Sequence, residues 1–390
     1  MLLKNCRLLP ELSPFDQVTV ADIIVEDGKI KTIREAGSAT GDDSESFDAG
    51  GRTLLPGLID LHTHITLLSN VGNDSIHEPM QLLTDAAKQA QRFLDFGFTT
   101  IRDCGSYFRV ANYVRNLVED GMICGPRILA CGQILMPSTE KPGDATTNLV
   151  DGAEGFRRGV RCETAYQPDF IKIYASGSAL SRTGVPKHPI MEREEIRKAV
   201  ETAEANGLYV AAHCHADSAI RHCIKNGVKT IEHATFIEEE TLNLLEKAEE
   251  CYLVPTFAAM YVSQTDPEDR VFWEARLNPM LQQCAKGMEA AYRAGQKLGF
   301  GTDSAPGSPQ YERAVEFAMR KEYCHMENTD ILLQSTKYNA EIAGLDQITG
   351  DIREGLAADL IMVDGNPDED LSVMYGKPSK VWKSGKLVRG

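Results

Sequence analysis

Between residues ~55 and ~330, short apolar runs of strand length alternate with longer amphipathic stretches, and this alternation limits the fold more than any other feature. The strand candidates are LLPGLIDLHTH, FTTIRDCG, PRILACGQ, DFIKIYASG, LYVAAHCH, KTIEHAT, CYLVPTFAAM and LGFGTDS. Each is bounded by Gly, Pro or polar residues, as parallel strands covered on both faces are. Between them EPMQLLTDAAKQAQRFLDFG, EREEIRKAVETAEANG, DSAIRHCIKNG and EEETLNLLEKAEE read as helices, several closed by the Gly usual at a helix C′ position. Eight strands with intervening helices over about 250 residues match a (β/α)8 TIM barrel in count and length. A doubly wound open sheet is the competing architecture, but it usually carries a Gly-rich phosphate turn after its first strand. Here that turn is HTHITLLSN, with no G-x-G pattern, so the barrel is preferred.

The two ends of the chain read differently. NCRLLP and ADIIVEDGKIKTIRE alternate apolar and polar residues around an Asp-Gly turn, and GSATGDDSES follows as a loop. GLAADLIMVDGNP and KVWKSGKLVRG repeat this style near the C-terminus. We therefore expect an α/β protein in which residues 1–54 and 346–390 pack together as a small β-sandwich domain and residues 55–345 form the barrel. A length of 390 residues suits one large domain and one smaller one.

Net charge is −16 with no basic run, which argues against nucleic acid or an anionic membrane surface as partner. No apolar run approaches the ~18 residues of a membrane span. The acids and proline of MLLKNCRLLPELSPFDQ argue against a secretory signal, and a cytoplasmic location is expected. The ten cysteines are scattered without zinc-ribbon spacing and read as reduced thiols filling a core.

The notable polar residues lie at the C-terminal ends of the strand candidates. His62 and His64 end the first, Lys172 lies in the fourth, His213 and His215 end the fifth, His233 ends the sixth and Asp303 the eighth. In a barrel these ends converge on one mouth. Residues i and i+2 of a strand share a face, so His62 and His64 can bind one ion together. Each residue alone has a structural reading: a hydrogen-bonded core histidine, a lysine reaching solvent, an aspartate capping a helix. Together they place five of the nine histidines, one lysine and one aspartate at strand ends. Imidazole and carboxylate are the ligand set of zinc and similar divalent ions.

PGLIDLHTH, FIKIYASG, AAHCHADSAI, TIEHATF, FGTDSA and GDIREGLAADLIMVDGNP resemble the metal-dependent amidohydrolase superfamily along nearly the whole chain. Within it, IKIYASG, AAHCHADSAIRHCIKNGVKTIEHAT and LVPTFAA look closest to the imidazolonepropionase-related branch that contains prolidase-like dipeptidases and N-acyl amino acid hydrolases. The resemblance implies two divalent ions, most simply zinc. His62, His64 and Asp303 match the ligands of the more buried ion, and His213 and His233 those of the second. Lys172 matches the lysine that this family carboxylates with CO₂ to bridge both ions; an ammonium repels cations, whereas a carbamate offers two anionic oxygens. The implied reaction is attack of a metal-bridging hydroxide on the amide of a dipeptide or N-acyl amino acid. Asp303 would move the proton to the leaving nitrogen. A cyclic-amide hydrolase or a deaminase of a small heterocycle is the alternative. The partner is then a small-molecule substrate, and the resemblance implies a homo-oligomer.

Around these ligands other residues carry two readings each. His215 shares a face with His213 and either touches substrate and the oxyanion or packs behind the ligands. Tyr174 alternates onto the face of Lys172 and can reach the mouth. In SGSALSRTGVPKH, Arg182, Lys187 and His188 offer groups for a substrate carboxylate or simply face water. His77 lies in the long loop after the first strand, in position to belong to a lid, whereas His222 and His325 read as structural. Relatives commonly carry Gly-Gly-His in the loop after the third strand. Here the stretch is GQILMPSTEKPGDATTN, without histidine, so the pocket differs on that side.

Overall fold

The computed structural model describes residues 1–37, 46–66, 79–139, 145–179, 185–262, 266–306 and 314–390. The chain opens with β1 (Leu2–Leu8), β2 (Thr19–Glu26), β3 (Lys29–Glu35), β4 (Ser46–Asp48) and β5 (Thr53–Pro56). Strand and helix then alternate through β6 (Leu58–Thr63), α1 (Pro79–Asp95), β7 (Phe98–Asp103), α2 (Val110–Glu119), β8 (Arg127–Ala130), β9 (Ile134–Met136), β10 (Thr147–Leu149) and α3 (Gly152–Thr164). The alternation continues with β11 (Ile171–Tyr174), α4 (Arg193–Glu204), β12 (Val210–Cys214), α5 (Asp217–Lys225), β13 (Thr230–His233), α6 (Glu239–Leu245) and β14 (Tyr252–Val254). Four helices follow: α7 (Pro267–Arg293), α8 (Val315–Cys324), α9 (Asn328–Leu333) and α10 (Asn339–Ala343). The chain ends with β15 (Leu360–Val363), β16 (Lys380–Lys383) and β17 (Lys386–Arg389).

Strands from both ends join in one mixed sheet, ordered β17-β16-β15-β5-β1-β2-β3, with β4 also on β1. The expected Asp-Gly hairpin forms: Asp27 and Gly28 both have positive φ, which matches the right-handed twist of the flanking strands. Ser384 and Gly385 do the same between β16 and β17. Where a β-sandwich is expected from the sequence, the hydrogen bonds run through a single sheet of eight strands. β1 is the reason, since one of its edges takes β2 while the other takes β4 at Leu2–Lys4 and then β5 at Arg7. Leu3, Ile23, Leu54, Met362 and Trp382 fill the core on one side of this sheet.

The middle of the chain forms two parallel sheets, β6-β7-β8 and β10-β9-β11-β12-β13-β14. They meet just after the third strand candidate. PRILACGQ supplies β8, which pairs with β7, and breaks at 131–133, where Gly132 has φ +81; β9 follows the break and pairs with β11. The Asp169 N–H donates to Ala130 O at 2.9 Å across the seam. The stretch after the third strand thus adds β9 and β10 to the sheet.

The eighth candidate, LGFGTDS, makes isolated bridges on both sides rather than a ladder: Leu298 with Leu253, and Ser304 with Thr63. Leu61 N–H donates to Phe300 O (2.9 Å) and His64 N–H to Ser304 O (2.8 Å). Regular pairing fails because Asn339 takes the place of a strand neighbour. Its Oδ1 accepts from Phe300 N–H (2.9 Å), and its Nδ2 donates to Ile59 O (2.7 Å) and Phe300 O (2.8 Å). Close approach adds to this, since a Cβ on Gly301 would stand 2.8 Å from the His62 Cβ.

The helices cover these sheets with apolar stripes. On α1, Leu82, Ala86, Ala90 and Phe93 recur at three- and four-residue spacing and are buried, while the other face is polar. Burying a Leu or Phe side chain contributes about 1.5–3 kcal/mol. All ten cysteines are free, most of them buried as expected for core thiols. No helix among the described residues is long and apolar enough to cross a membrane.

Because Asn339 satisfies three buried backbone groups, Asn339→Ala is expected to destabilise the protein by about 3 kcal/mol, read as a lowered urea midpoint. An unchanged midpoint would show that water or a neighbour replaces the amide.

Candidate metal centre

The ends of β6, β12 and β13 and the segment of Asp303 lie at the same end of the parallel sheets. Because side chains alternate along a strand, His62 and His64 turn to the same side, and their Nε2 atoms stand 3.5 and 3.2 Å from Asp303 Oδ1. The ligand atoms of this trio all lie within 4.8 Å of one another. A second trio, His213, His215 and His233, meets the same condition. The two trios adjoin, with the rings of His62 and His233 4.7 Å apart.

Every one of the five imidazoles has one nitrogen occupied, which leaves the other for a ligand. His62 Nδ1 faces Glu232 Oε2 (2.7 Å), His64 Nδ1 faces Gly105 O (2.9 Å), His215 Nδ1 faces Thr235 Oγ1 (2.7 Å) and His233 Nδ1 faces Thr256 Oγ1 (2.6 Å). His213 is turned the other way, with Nε2 3.2 Å from Gly177 O and its ring stacked on Tyr174 at 3.9 Å. Hydrogen-bonded imidazoles of this kind are fixed in orientation and tautomer, as metal-binding histidines generally are.

Burial drives His62 down to about 4 and His215 down to about 3. It likewise pushes His213 and His233 well down, aided by neighbouring imidazoles. These rings are therefore neutral near pH 7, the form that binds a cation. Burial opposes charge on His64 as well, but the hydrogen bond and charge of Asp303 prevail and raise it. On Asp303, burial works upward, yet the adjacent His62 and His64 and the charge of Lys172 hold the carboxyl below its ordinary range.

Lys172, on β11, is 1% exposed, and its buried Nζ has no hydrogen-bond acceptor among the described residues. An ammonium so placed lacks the hydrogen bonds that would offset the loss of its water. Two trios of metal-type ligands beside an orphaned lysine nitrogen fit a bound divalent centre.

Among the remaining sequence candidates, Tyr174 packs on His213. Lys187 lines a cavity of about 580 Å3 with Arg221, Phe236 and Met280, and His188 is exposed. His222 accepts from Arg193 Nε (3.0 Å), and His325 lies beside Glu289 (3.3 Å), neither in the two trios. Arg182 and His77 fall outside the described residues.

Sequence reasoning passed over three buried charges next to the centre. Asp60 accepts from the backbone N–H of His62 (3.0 Å) and of Thr302 (3.1 Å) and from Thr302 Oγ1 (2.6 Å). Glu232 and Arg102 form an ion pair of 2.7 Å. The available signal was a charge inside an otherwise apolar run, in LIDLHTH, TIEHAT and FTTIRDCG.

A model of the amidohydrolase family matches residues 53–388. Ochratoxinase of Aspergillus niger is 29% identical over 372 residues, covering 86% of this chain and 76% of that protein. A solved Xaa-Pro dipeptidase with methionine bound in its active site superposes with a TM-score of 0.88 and 28% identity, covering 100% of this chain and 99% of that one. A prolidase in complex with N-methylphosphonate-L-proline gives a TM-score of 0.88 at 27% identity with the same coverage. The chain belongs to the amidohydrolase family, its structural neighbours include prolidase and Xaa-Pro dipeptidase, and it is a hydrolase of carbon–nitrogen bonds.

Proposed function

We propose that the protein is a binuclear, metal-dependent amidohydrolase that cleaves the amide bond of a dipeptide or an N-acyl amino acid. The observation that carries this reading is the pair of candidate ligand trios near Lys172, whose buried Nζ lacks an acceptor among the described residues. His62, His64 and Asp303 would hold one ion, and His213 and His233 the other, both most simply zinc. Lys172 would join them as a carbamate, formed when its amine takes up CO₂ and releases a proton. The substrate class is supported by the relatives named as dipeptidase, prolidase and ochratoxinase.

Two divalent ions bound there would polarise the scissile carbonyl and acidify water. Asp303, whose carboxylate is 26% exposed toward the mouth, is placed to accept a proton from the attacking water and pass it to the leaving nitrogen. His215 differs from His62 and His64 in that its Nδ1 partner, the Thr235 hydroxyl, can donate as well as accept. When Thr235 donates, His215 carries its proton on Nε2 and can offer it to the carbonyl oxygen as negative charge develops. Tyr174 shields His213 and borders the substrate, and Arg182 is proposed to pair with the substrate carboxylate.

The proposal includes the frame that carries the site. Residues 55–345 form a (β/α)8 barrel, supported by the hydrogen bonds across both seams, and residues 1–54 and 346–390 form a separate β-domain. A cytoplasmic homo-oligomer acting on small molecules completes the reading.

Metal analysis of protein purified without chelator, with a library of dipeptides and N-acyl amino acids screened for released amino acid, tests this directly. Absence of a bound divalent ion would overturn it. Lys172→Ala is expected to lose metal and activity, with short carboxylic acids restoring part of both; an unmodified Lys172 in metal-loaded protein, by mass spectrometry, would refute the carbamate. Asp303→Asn is expected to stay folded and lose about 10²–10⁴-fold in kcat, and near-normal turnover would remove Asp303 from proton transfer.

A further inference from the structure

Arg102 on β7 and Glu232 on β13 form an ion pair with neither side chain reaching solvent. Each nitrogen of Arg102 has an acceptor: Nε donates to Leu61 O (2.5 Å), Nη1 to Thr230 Oγ1 (3.0 Å) and Nη2 to Glu232 Oε1 (2.7 Å). The guanidinium also lies over Phe170, 5.1 Å from the ring centre. Glu232 Oε1 accepts a second bond from Thr230 Oγ1 (2.6 Å), which turns the carboxylate so that Oε2 meets His62 Nδ1 at 2.7 Å.

His62, Cys104 and Glu232 themselves lie close enough to pass for a further ligand trio. The hydrogen bonds argue otherwise. Both oxygens of Glu232 are engaged, and burial pushes the Cys104 thiol up to about 12, away from the thiolate that would bind an ion. What remains is a chain running Arg102–Glu232–His62, directed at the nitrogen opposite the one that faces Asp303.

We propose that Arg102 and Glu232 are positioning residues that fix His62 as the Nδ1–H tautomer and make its Nε2 a stronger donor to a divalent ion. A carboxylate only accepts, so the proton of His62 sits on Nδ1 and the lone pair of Nε2 points at Asp303. Arg102 supplies the countercharge and sets the plane of the carboxylate. The inference rests on the metal reading given under the proposed function.

The competing view is that the pair only braces the interior, and replacing both partners separates the two. Arg102→Met/Glu232→Leu removes the charges together, which apolar substitution of buried pairs often tolerates. Metal-free protein carrying both changes is expected to unfold near the wild-type urea midpoint. Its zinc affinity, from competition with a chelator, is expected to fall about 10–100-fold. Arg102→Met/Glu232→Gln returns an acceptor to His62 and is expected to recover part of that loss. Zinc affinity within about twofold of wild type in the Met/Leu variant would overturn the proposal. Nitrogen-15 spectra of histidine-labelled wild-type protein give a test that needs no variant: a His62 proton on Nδ1 supports the proposal and one on Nε2 overturns it. Wild-type protein that binds no zinc would defeat the metal reading instead, and the tautomer measurement would still decide this one.

Discussion

The carboxylate of Asp60 joins the two segments that carry His62, His64 and Asp303. It accepts the backbone N–H of His62 from its own strand and both the N–H and hydroxyl of Thr302 from the segment that arrives some 240 residues later. Asp303 N–H then donates to His62 O at 2.7 Å, directly above this clamp. Removed from water, a carboxylate must find donors, and here the donors are His62 itself and Thr302, the neighbour of Asp303. The geometry of the first trio follows from satisfying one buried charge.

Two of the candidate ligands are held at a cost. His233 and Asp303 adopt φ of +69 and +55, the left-handed region that non-glycine residues rarely occupy. Strain of this sort costs of order 1–3 kcal/mol per residue and persists where the surroundings leave no alternative. For Asp303 the surroundings are the Asp60 clamp and the pairing of Ser304 with Thr63. For His233 they are the Thr256 contact on one side and the β12 ladder on the other. His233 at the end of β13 and Asp303 beside an isolated bridge both swing toward a common point, which extended backbone would not allow.

Much of this was legible in the sequence, because burial leaves a mark on residue type. Apolar runs of strand length located the strands, and His, Lys and Asp at their ends located the trios and Lys172. Partner choice leaves no such mark. LLPGLIDLHTH reads as one strand, yet Gly57 divides it between β5 of the terminal sheet and β6 of the parallel one. ILM, read as loop after PRILACGQ, forms β9 in the other sheet, and LGFGTDS gives up its ladder to the side chain of Asn339, nearly forty residues downstream. Asp60, Arg102 and Glu232 stood out as charges in apolar runs. Their roles depend on which strands face one another, and only the assembled sheets decide that.

The pairing of β5 with β15 also sets an order of events during synthesis. Leu55 is matched with Ile361, so β5 lacks this neighbour until about 300 further residues have left the ribosome. At the usual ~5–20 residues per second this wait is on the order of tens of seconds. Throughout it β5, buried at every residue in the finished protein, presents an open apolar edge to other nascent chains. Yield is therefore expected to depend on how well that edge is shielded while the parallel sheets are being made, and holding chaperones or slowed elongation at low temperature would act on that interval.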